Sequence, residues 1–360
     1  MNTSPKDTQK MTASDATTST FSVTVQPSGR SFSVPNGETV LAAGILQGIG
    51  LPYGCKDGAC GSCKCKMISG KVTHGSHQSK ALSDEEEAQG FVLTCCASPQ
   101  TDVVLESRQV TALGALPIKK MPTRVSAMVR KSADVMVLQL QLPANDSFTY
   151  RAGQYIEIML RDGARRSYSM ANAPHKGPGV ELHIRHMPGG KFTDHVFGAM
   201  AEKEILRVEG PYGSFFLQED SEKPMVFLAS GTGFAPLKAL LEHLQHIKSQ
   251  RQVTLYWGGR RPSDLYMDDW VQEQLQVMPN LRYVPVVSDA MPEDQWAGRT
   301  GFVHRAVMED FADLSGHQVY ACGAPIVIES ARKDFCGQAK LPEEEFYADA
   351  FTSEADKAKP

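Results

Sequence analysis

The 360-residue sequence predicts a multidomain chain that joins a small α+β domain, an antiparallel β-domain and a parallel α/β domain. Three observations carry this. Residues 21–110 alternate apolar and polar positions around one short helical stretch. Residues 123–220 repeat short strand patterns between turn signals. Residues 221–351 switch to longer apolar runs separated by a helix.

The first twenty residues, "MNTSPKDTQKMTASDATTST", are rich in Ser and Thr and poor in large apolar side chains, which predicts a disordered tail. Phe21, Val23 and Val25 then share one face, "QPSGR" turns the chain, and Phe32 and Val34 repeat the pattern of a β-hairpin. In "NGETVLAAGILQGIG", Leu41, Ile45 and Ile49 recur at helical spacing. "CKMISGKV" and "DVVLESRQV" read as strands, and "LSDEEEAQG" as a helix start in which Ser83 and Glu86 fit a capping box. "TALGALPIKKMP", residues 111–122, reads as a linker. Beyond it "VMVLQLQL", "QYIEIML", "ELHIRH" and "ILRVEG" are spaced as strands of a closed or sandwiched antiparallel domain. "MVFLAS", "VTLYW", "YVPVVS" and "QVYACG" suit buried parallel strands. Leu237, Leu240, Leu241 and Leu244 mark the helix between the first two, and residues 352–360 form a second tail.

With 37 basic and 41 acidic residues, the charge balance points to neither nucleic acid nor an anionic membrane as a partner. No apolar run is long enough to span a bilayer, and the opening residues lack the apolar stretch of a secretion signal. The expected location is therefore the cytoplasm. In that reducing compartment, clustered cysteines are metal ligands or redox groups more often than disulfides.

Such a cluster stands in "PYGCKDGACGSCKCKM", with the spacing Cys55-x4-Cys60-x2-Cys63 and the pair Cys95 and Cys96 further along. A structural zinc site usually offers two separate two-ligand knuckles, whereas three ligands in one loop and a distant fourth match the plant-type [2Fe–2S] pattern. Zinc and disulfides are the alternatives. Gly54, Gly58, Ala59, Gly61 and Ser62 let the backbone wrap closely and aim N–H groups at the sulfurs. Residues 21–110 resemble a plant-type ferredoxin domain, a β-grasp fold whose fourth ligand sits in a Leu-Thr-Cys-x-Ala-x-Pro context. In "LTCCASP" the resemblance implies that Cys95 completes the set with Cys55, Cys60 and Cys63. Cys65 and Cys96 fall outside the pattern and read as small, partly buried residues.

In "RRSYSMANAP", Arg166, Tyr168 and Ser169 combine a guanidinium that forks onto phosphate, a ring that lies flat on a flavin, and a hydroxyl donor. "HIRHMPGGKFTDHVF" adds Gly190, Lys191 and Thr193 for a pyrophosphate at a helix start, while His183, His186 and His195 read as ordinary strand and helix residues. These motifs, with the Gly210-Pro211-x-Gly213-x-Phe215 turn, resemble the ferredoxin–NADP reductase superfamily. The resemblance implies a flavin-binding β-barrel in which Arg166 contacts the flavin phosphate and Tyr168 and Ser169 contact the isoalloxazine. His183, Ile184, Arg185, Gly190, Lys191 and Thr193 would hold the rest of FAD, with FMN as the alternative.

"MVFLASGTGFAPLKALLEHL" is strand, glycine turn and helix, in which Gly231, Thr232 and Gly233 suit a pyrophosphate. The third glycine of the full dinucleotide fingerprint is missing, and Arg260 and Arg261 stand where an acidic residue often grips a ribose. Those charges favour the 2′-phosphate of NADPH. The resemblance favours NADH, and both stay open. "YACGAP" matches the superfamily's Cys-Gly-x-Pro motif, which implies that Cys322 and Gly323 approach the nicotinamide; "FYADAF" implies an aromatic, Phe351, near the flavin. As a whole the chain resembles iron–sulfur flavoreductases of the CDP-6-deoxy-glucoseen reductase type and reductase components of multicomponent oxygenases. That implies electron flow from NAD(P)H through FAD to the cluster and on to a partner enzyme, a dehydratase or an oxygenase component, with Ser169, Cys322 and Phe351 at the hydride step. A ferredoxin-like carrier with inactive reductase domains is the non-enzyme reading.

Overall fold

The computed structural model describes residues 19–112, 116–144 and 148–352. Residues 1–18 and 353–360 of the expected tails and 113–115 of the expected linker lie outside the described residues.

Three large sheets account for the three pattern regimes of the sequence. The first has five strands in the order Arg30–Pro35, Thr20–Gln26, Val103–Glu106, Lys64–Ser69 and Phe91–Leu93. Its opening hairpin is antiparallel with Val23 opposite Phe32, and its central pair, Thr20–Gln26 with Val103–Glu106, is parallel. Val23, Val25, Phe32 and Val34 are buried with Val40, Leu41 and Ala43 of the helix Val40–Leu46, giving a β-grasp core. Thr39 caps that helix by accepting the Ala42 N–H at 3.3 Å. The helix is shorter than the Leu41–Ile45–Ile49 spacing implies. Gly48, at φ 72°, ends it, and Ile49 joins a two-residue strand opposite Ala112. The capping box forms: Ser83 Oγ accepts the Glu86 N–H at 3.2 Å, and Glu86 Oε2 accepts the Ser83 N–H at 3.0 Å.

The second sheet is wholly antiparallel, ordered Arg165–Ser169, Tyr155–Met159, Ile205–Tyr212, Lys119–Arg130, Val135–Gln141 and Gly179–Arg185. A bridge between Met170 and Leu182 brings its two edges together, so the sheet curls into a barrel. Its longest strand begins at Lys119, inside the stretch read as linker: Lys119, Met121, Thr123 and Val125 alternate with polar neighbours, and Met121 and Val125 enter the barrel core.

The third sheet is parallel, ordered Arg299–Thr300, Leu281–Val287, Val253–Gly259, Met225–Ser230, Gln318–Gly323 and Phe346–Ala350. The helix Phe234–His246 packs Leu237, Leu240, Leu241 and Leu244 onto it, as the leucine spacing predicts. The three cores are not separate. Tyr155 and Tyr212 of the barrel belong to the first domain's core, and Cys60 packs on the core of the third. Among the described residues no helix is long and apolar enough to cross a membrane.

Candidate redox centre

The cysteine loop is shaped by residues that few sequences would place together. Lys56, Gly58 and Gly61 adopt φ of 66°, 75° and 74°, which curls the chain between Cys55 and Cys63. A Cβ at Gly58 would fall 2.7 Å from Cys96 Sγ and 2.8 Å from His77 Cβ. Cys63 Sγ lies 3.2 Å from Cys95 Sγ, and the Cys55 N–H donates to Cys60 Sγ at 3.4 Å. The hydrogen bond to Cys55, helped by Ser62, lowers the Cys60 thiol to about 6. The four thiols thus stand as two pairs, a donor set that fits two irons with two thiolates each. Cys65 lies on the strand Lys64–Ser69, and burial pushes its thiol up to about 12. Cys96 stands beside the set, 3.6 Å from Cys95 Sγ.

The strand Arg165–Ser169 forms one edge of the barrel, so Arg166 and Tyr168 share a half-buried face and Ser169 is buried. The Tyr168 ring lies 5.5 Å from Phe192, on the helix Lys191–Phe197 that Gly190 caps. This joins the Arg-x-Tyr-Ser strand to the Gly190–Thr193 segment. The side chains there are engaged locally. Thr193 Oγ1 donates to Met187 O at 2.8 Å, and Lys191 pairs with Asp162, so reaching a phosphate requires exchanging these partners. The run His183-Ile184-Arg185 divides. Ile184 lies in the barrel core. His183 is buried with both ring nitrogens engaged, by Tyr266 Oη at 2.7 Å and Glu181 Oε1 at 2.8 Å. Arg185 reaches the glycine turn, where a Cβ on Gly231 would fall 2.7 Å from its Nη1. Asp134, at 3.0 Å, and Asp264, at 3.2 Å, hold the guanidinium there.

Gly231–Gly233 follows the strand Met225–Ser230, from which the sheet is built outward first on one side, through Val253–Gly259, and then on the other, through Gln318–Gly323; this is the topological switch point of the sheet. Thr232 is half-buried in the turn. A Cβ on Gly233 would come within 2.0 Å of Cys322 O, and Gly323 adopts φ 136° against Ser230, so the turn and the Cys322 strand end interlock through glycine. Trp257 Nε1 donates to Gly231 O at 3.0 Å from below. Arg261 is committed elsewhere: its Nε and Nη2 lie 2.7 and 2.9 Å from the Asp294 carboxylate, with Glu293 at 3.3 Å. The Arg260 side chain is 72% exposed, 3.6 Å from Asp264.

Ser169 and Cys322 meet through a residue the sequence reading missed. Asp349 is the strand partner of Cys322 and accepts from Ser169 Oγ at 3.4 Å. A Cβ on Gly54 of the cysteine loop would fall 3.3 Å from Asp349 Oδ1 and 3.4 Å from Cys60 Sγ. Burial raises the Asp349 carboxyl to about 7; the Cys60 charge adds to this and the Ser169 bond opposes it. The available signal was an acidic residue inside the strand-like "FYADAF". Phe351 packs on the adjacent core, and its N–H donates to Gly323 O at 2.8 Å. Also unforeseen is a buried ionic seam between barrel and third domain. Lys238 Nζ contacts Glu242 at 2.8 Å, Glu181 at 3.1 Å and Ala171 O at 3.1 Å, while Glu242 accepts the Ala173 N–H at 2.8 Å.

Comparison with known proteins places a chemistry on each sheet. Residues 23–100 match the 2Fe-2S iron-sulfur cluster binding domain, 122–217 the oxidoreductase FAD-binding domain, and 227–333 the oxidoreductase NAD-binding domain. The chain is 41% identical over 334 residues to a CDP-6-deoxy-L-threo-D-glycero-4-hexulose-3-dehydrase reductase of Yersinia pseudotuberculosis, covering 92% of this chain and 98% of the relative. It is 35% identical to reductase component 2 of a Comamonas terephthalate 1,2-dioxygenase, covering 91% and 96%. Among solved structures, the Amycolatopsis cytochrome P450 reductase GcoB superposes with a TM-score of 0.75 at 33% identity, covering 92% of this chain and 99% of that one. The cofactors are accordingly a [2Fe–2S] cluster, FAD and a nicotinamide nucleotide. With paired thiols, an Arg-x-Tyr-Ser barrel edge and a glycine turn at the switch point, the chain belongs to the family of NAD(P)H-dependent iron–sulfur flavoreductases.

Proposed function

We propose that Cys55, Cys60, Cys63 and Cys95 hold the cluster, that Arg166, Tyr168 and Ser169 receive the flavin, and that Gly231–Gly233 with Arg185 receive the nicotinamide coenzyme. FAD held there would supply the chemistry that links a two-electron hydride donor to a one-electron [2Fe–2S] acceptor, and the residues named would bind and orient it. Ser169 and Cys322 border the hydride step. Buried Asp349, bonded to Ser169, fixes that hydroxyl's direction and excludes water from it. Phe351, packed on the core that holds Cys322 and donating its N–H to Gly323 O, would stand on the carboxy-terminal side of that step. The observation that carries this reading is the junction where Asp349, bonded to Ser169 and paired with Cys322, abuts Gly54, beside the proposed ligand Cys55.

The coenzyme we favour is NADH. The argument for NADPH rested on Arg260 and Arg261, but Arg261 is neutralised by Asp294 and Glu293, and those carboxylates repel a 2′-phosphate. The electrons leave for a partner protein. A dehydrase acting on a CDP-linked hexulose is favoured, since the relative so named stands at 41% identity against 35% for the dioxygenase reductase; an oxygenase component is the second reading. A groove of about 490 Å³ beside Cys95 and Cys96, lined also by Thr73, His74, Gly75 and Ser76, supports docking at that face.

The test is Cys60→Ser. It should lose the cluster and cytochrome c reduction while NADH-to-dye activity through the flavin persists. Loss of both activities in a folded protein would overturn the order flavin first, cluster second.

A further inference from the structure

The segment around Cys55 is tied to the flavin barrel at residues on both sides of the ligand. The Tyr53 N–H donates to Ser214 Oγ at 2.8 Å, Ser214 Oγ donates back to Tyr53 O at 3.1 Å, and the Tyr53 hydroxyl accepts the Gly213 N–H at 2.8 Å. One residue on, the Tyr155 hydroxyl donates to Gly54 O at 2.8 Å. Beyond Cys55, Lys56 reaches buried Glu157 at 2.7 Å and lies 3.5 Å over the Tyr212 ring. Lys56 does so with φ at 66°, in the left-handed region. Tyr53 and Tyr155 are each only 4% exposed, so the two hydroxyl contacts are buried between the two domains, while Lys56 stays partly exposed.

Tyr155 is placed differently from the other tethers. It is the strand partner of Ser169, and its hydroxyl ends on the carbonyl next to Cys55. It therefore spans from the flavin-side strand to the ligand loop. A surface contact elsewhere, such as Arg108 with Glu344 at 2.7 Å, links domains but touches neither group's residues.

We propose that Tyr155, with Tyr53 and Lys56 on either side of the ligand, is a positioning residue that seats the Cys55 loop on the flavin barrel. The first domain then stays docked through turnover instead of swinging out to deliver electrons. In the step concerned, one electron passes from reduced flavin to oxidised cluster, and no covalent bond of the chain forms or breaks. A docked loop also assigns the exit to another face of the same domain, so the partner must come to it. The inference rests on Cys55 being a ligand.

The test is Tyr155→Phe in the complete, cofactor-loaded chain, which keeps the ring and removes one hydrogen bond. Hydrogen exchange of the Tyr53–Lys56 amides should quicken by about fivefold, the shift expected when one buried hydrogen bond no longer opposes local opening. Cytochrome c reduction should fall relative to NADH-driven dye reduction, and the electron paramagnetic resonance signal of the reduced cluster should shift. Unchanged exchange, or faster exchange with an unchanged ratio of the two activities, overturns the proposal. Lys56→Met, which removes a different tether, should act in the same direction, and its silence counts equally against the clamp. A Cys55→Ser protein that keeps its iron–sulfur absorption would instead overturn the ligand assignment beneath it.

Discussion

The cysteine loop and the junction of Ser169, Cys322 and Asp349, the two places proposed for redox groups, are built in opposite ways. Three of the four proposed cluster ligands come from one nine-residue stretch, Cys55 to Cys63, whose shape follows from its own glycines. At the junction, Ser169 comes from the barrel and Cys322 and Asp349 from two strands of the parallel sheet. Nothing local holds those three together. Their alignment depends on how two domains meet, and the buried Lys238–Glu242–Glu181 seam is one of the contacts at that meeting, beside His183–Tyr266 and Arg185–Asp264. The difference separates their vulnerabilities: the loop fails through its backbone, the junction through its interface.

The sharpest way to break the comparison is Lys238→Met. Removing the cation leaves two buried carboxylates without their partner, which costs about 3–5 kcal/mol in denaturant unfolding. Cluster absorption should survive in the folded protein at low temperature, because the loop does not depend on that seam. The acid side of the same seam has a pH signature. Burial opposes charge on Glu181, but the His183 hydrogen bond and the Lys238 charge win and lower it to about 2. Its stabilisation is therefore complete above the ordinary carboxylate value and drains away as pH falls from about 4.5 toward about 2, a loss of roughly 3 kcal/mol. Glu181→Gln should flatten that limb of the stability–pH curve, and a limb left unchanged would remove Glu181 from the account.

Gly58→Ala strikes the loop instead. Its φ of 75° and the 2.7 Å approach to Cys96 Sγ predict a cost of about 1–3 kcal/mol, read as faster cluster loss to a chelator with dye reduction intact. The smallest effect belongs to coenzyme choice. Asp294→Asn frees Arg261 and removes a repelling charge at an exposed site, so kcat/KM for NADPH relative to NADH should rise by roughly threefold. A fall in that ratio would show that Arg261 does not face the coenzyme.

What was legible in the sequence follows the same division. The capping box at Ser83 and the leucine stripe of residues 237–244 are contiguous patterns, and each appears in the fold as read, while the cysteine spacing brings Cys63 within 3.2 Å of Cys95. The helix after Thr39 was read too long because Ile49 kept the apolar rhythm while Gly48 ended the helix. The strand beginning at Lys119 was hidden by Lys119, Lys120 and Pro122, which resemble a linker until Met121 is seen pointing into the barrel. Asp349 and Lys238 were invisible for a different reason. A lone acid in a strand acquires meaning only from Ser169, 180 residues away, and Lys238, which pairs with Glu242 four residues on, joins the two domains only through Glu181, 57 residues away. The pairing of Arg261 was hidden for the same reason, since Asp294, which neutralises it, lies 33 residues further on.

The most direct test of the central claim is anaerobic rapid mixing of the purified, cofactor-loaded protein with NADH, followed by absorption in time. Electron entry at the Ser169–Cys322 junction and onward passage to the cysteine loop predicts that the flavin band bleaches first and the iron–sulfur bands follow within the same molecule. Iron–sulfur absorption with no flavin band, or a flavin that bleaches while the cluster stays oxidised, would contradict it.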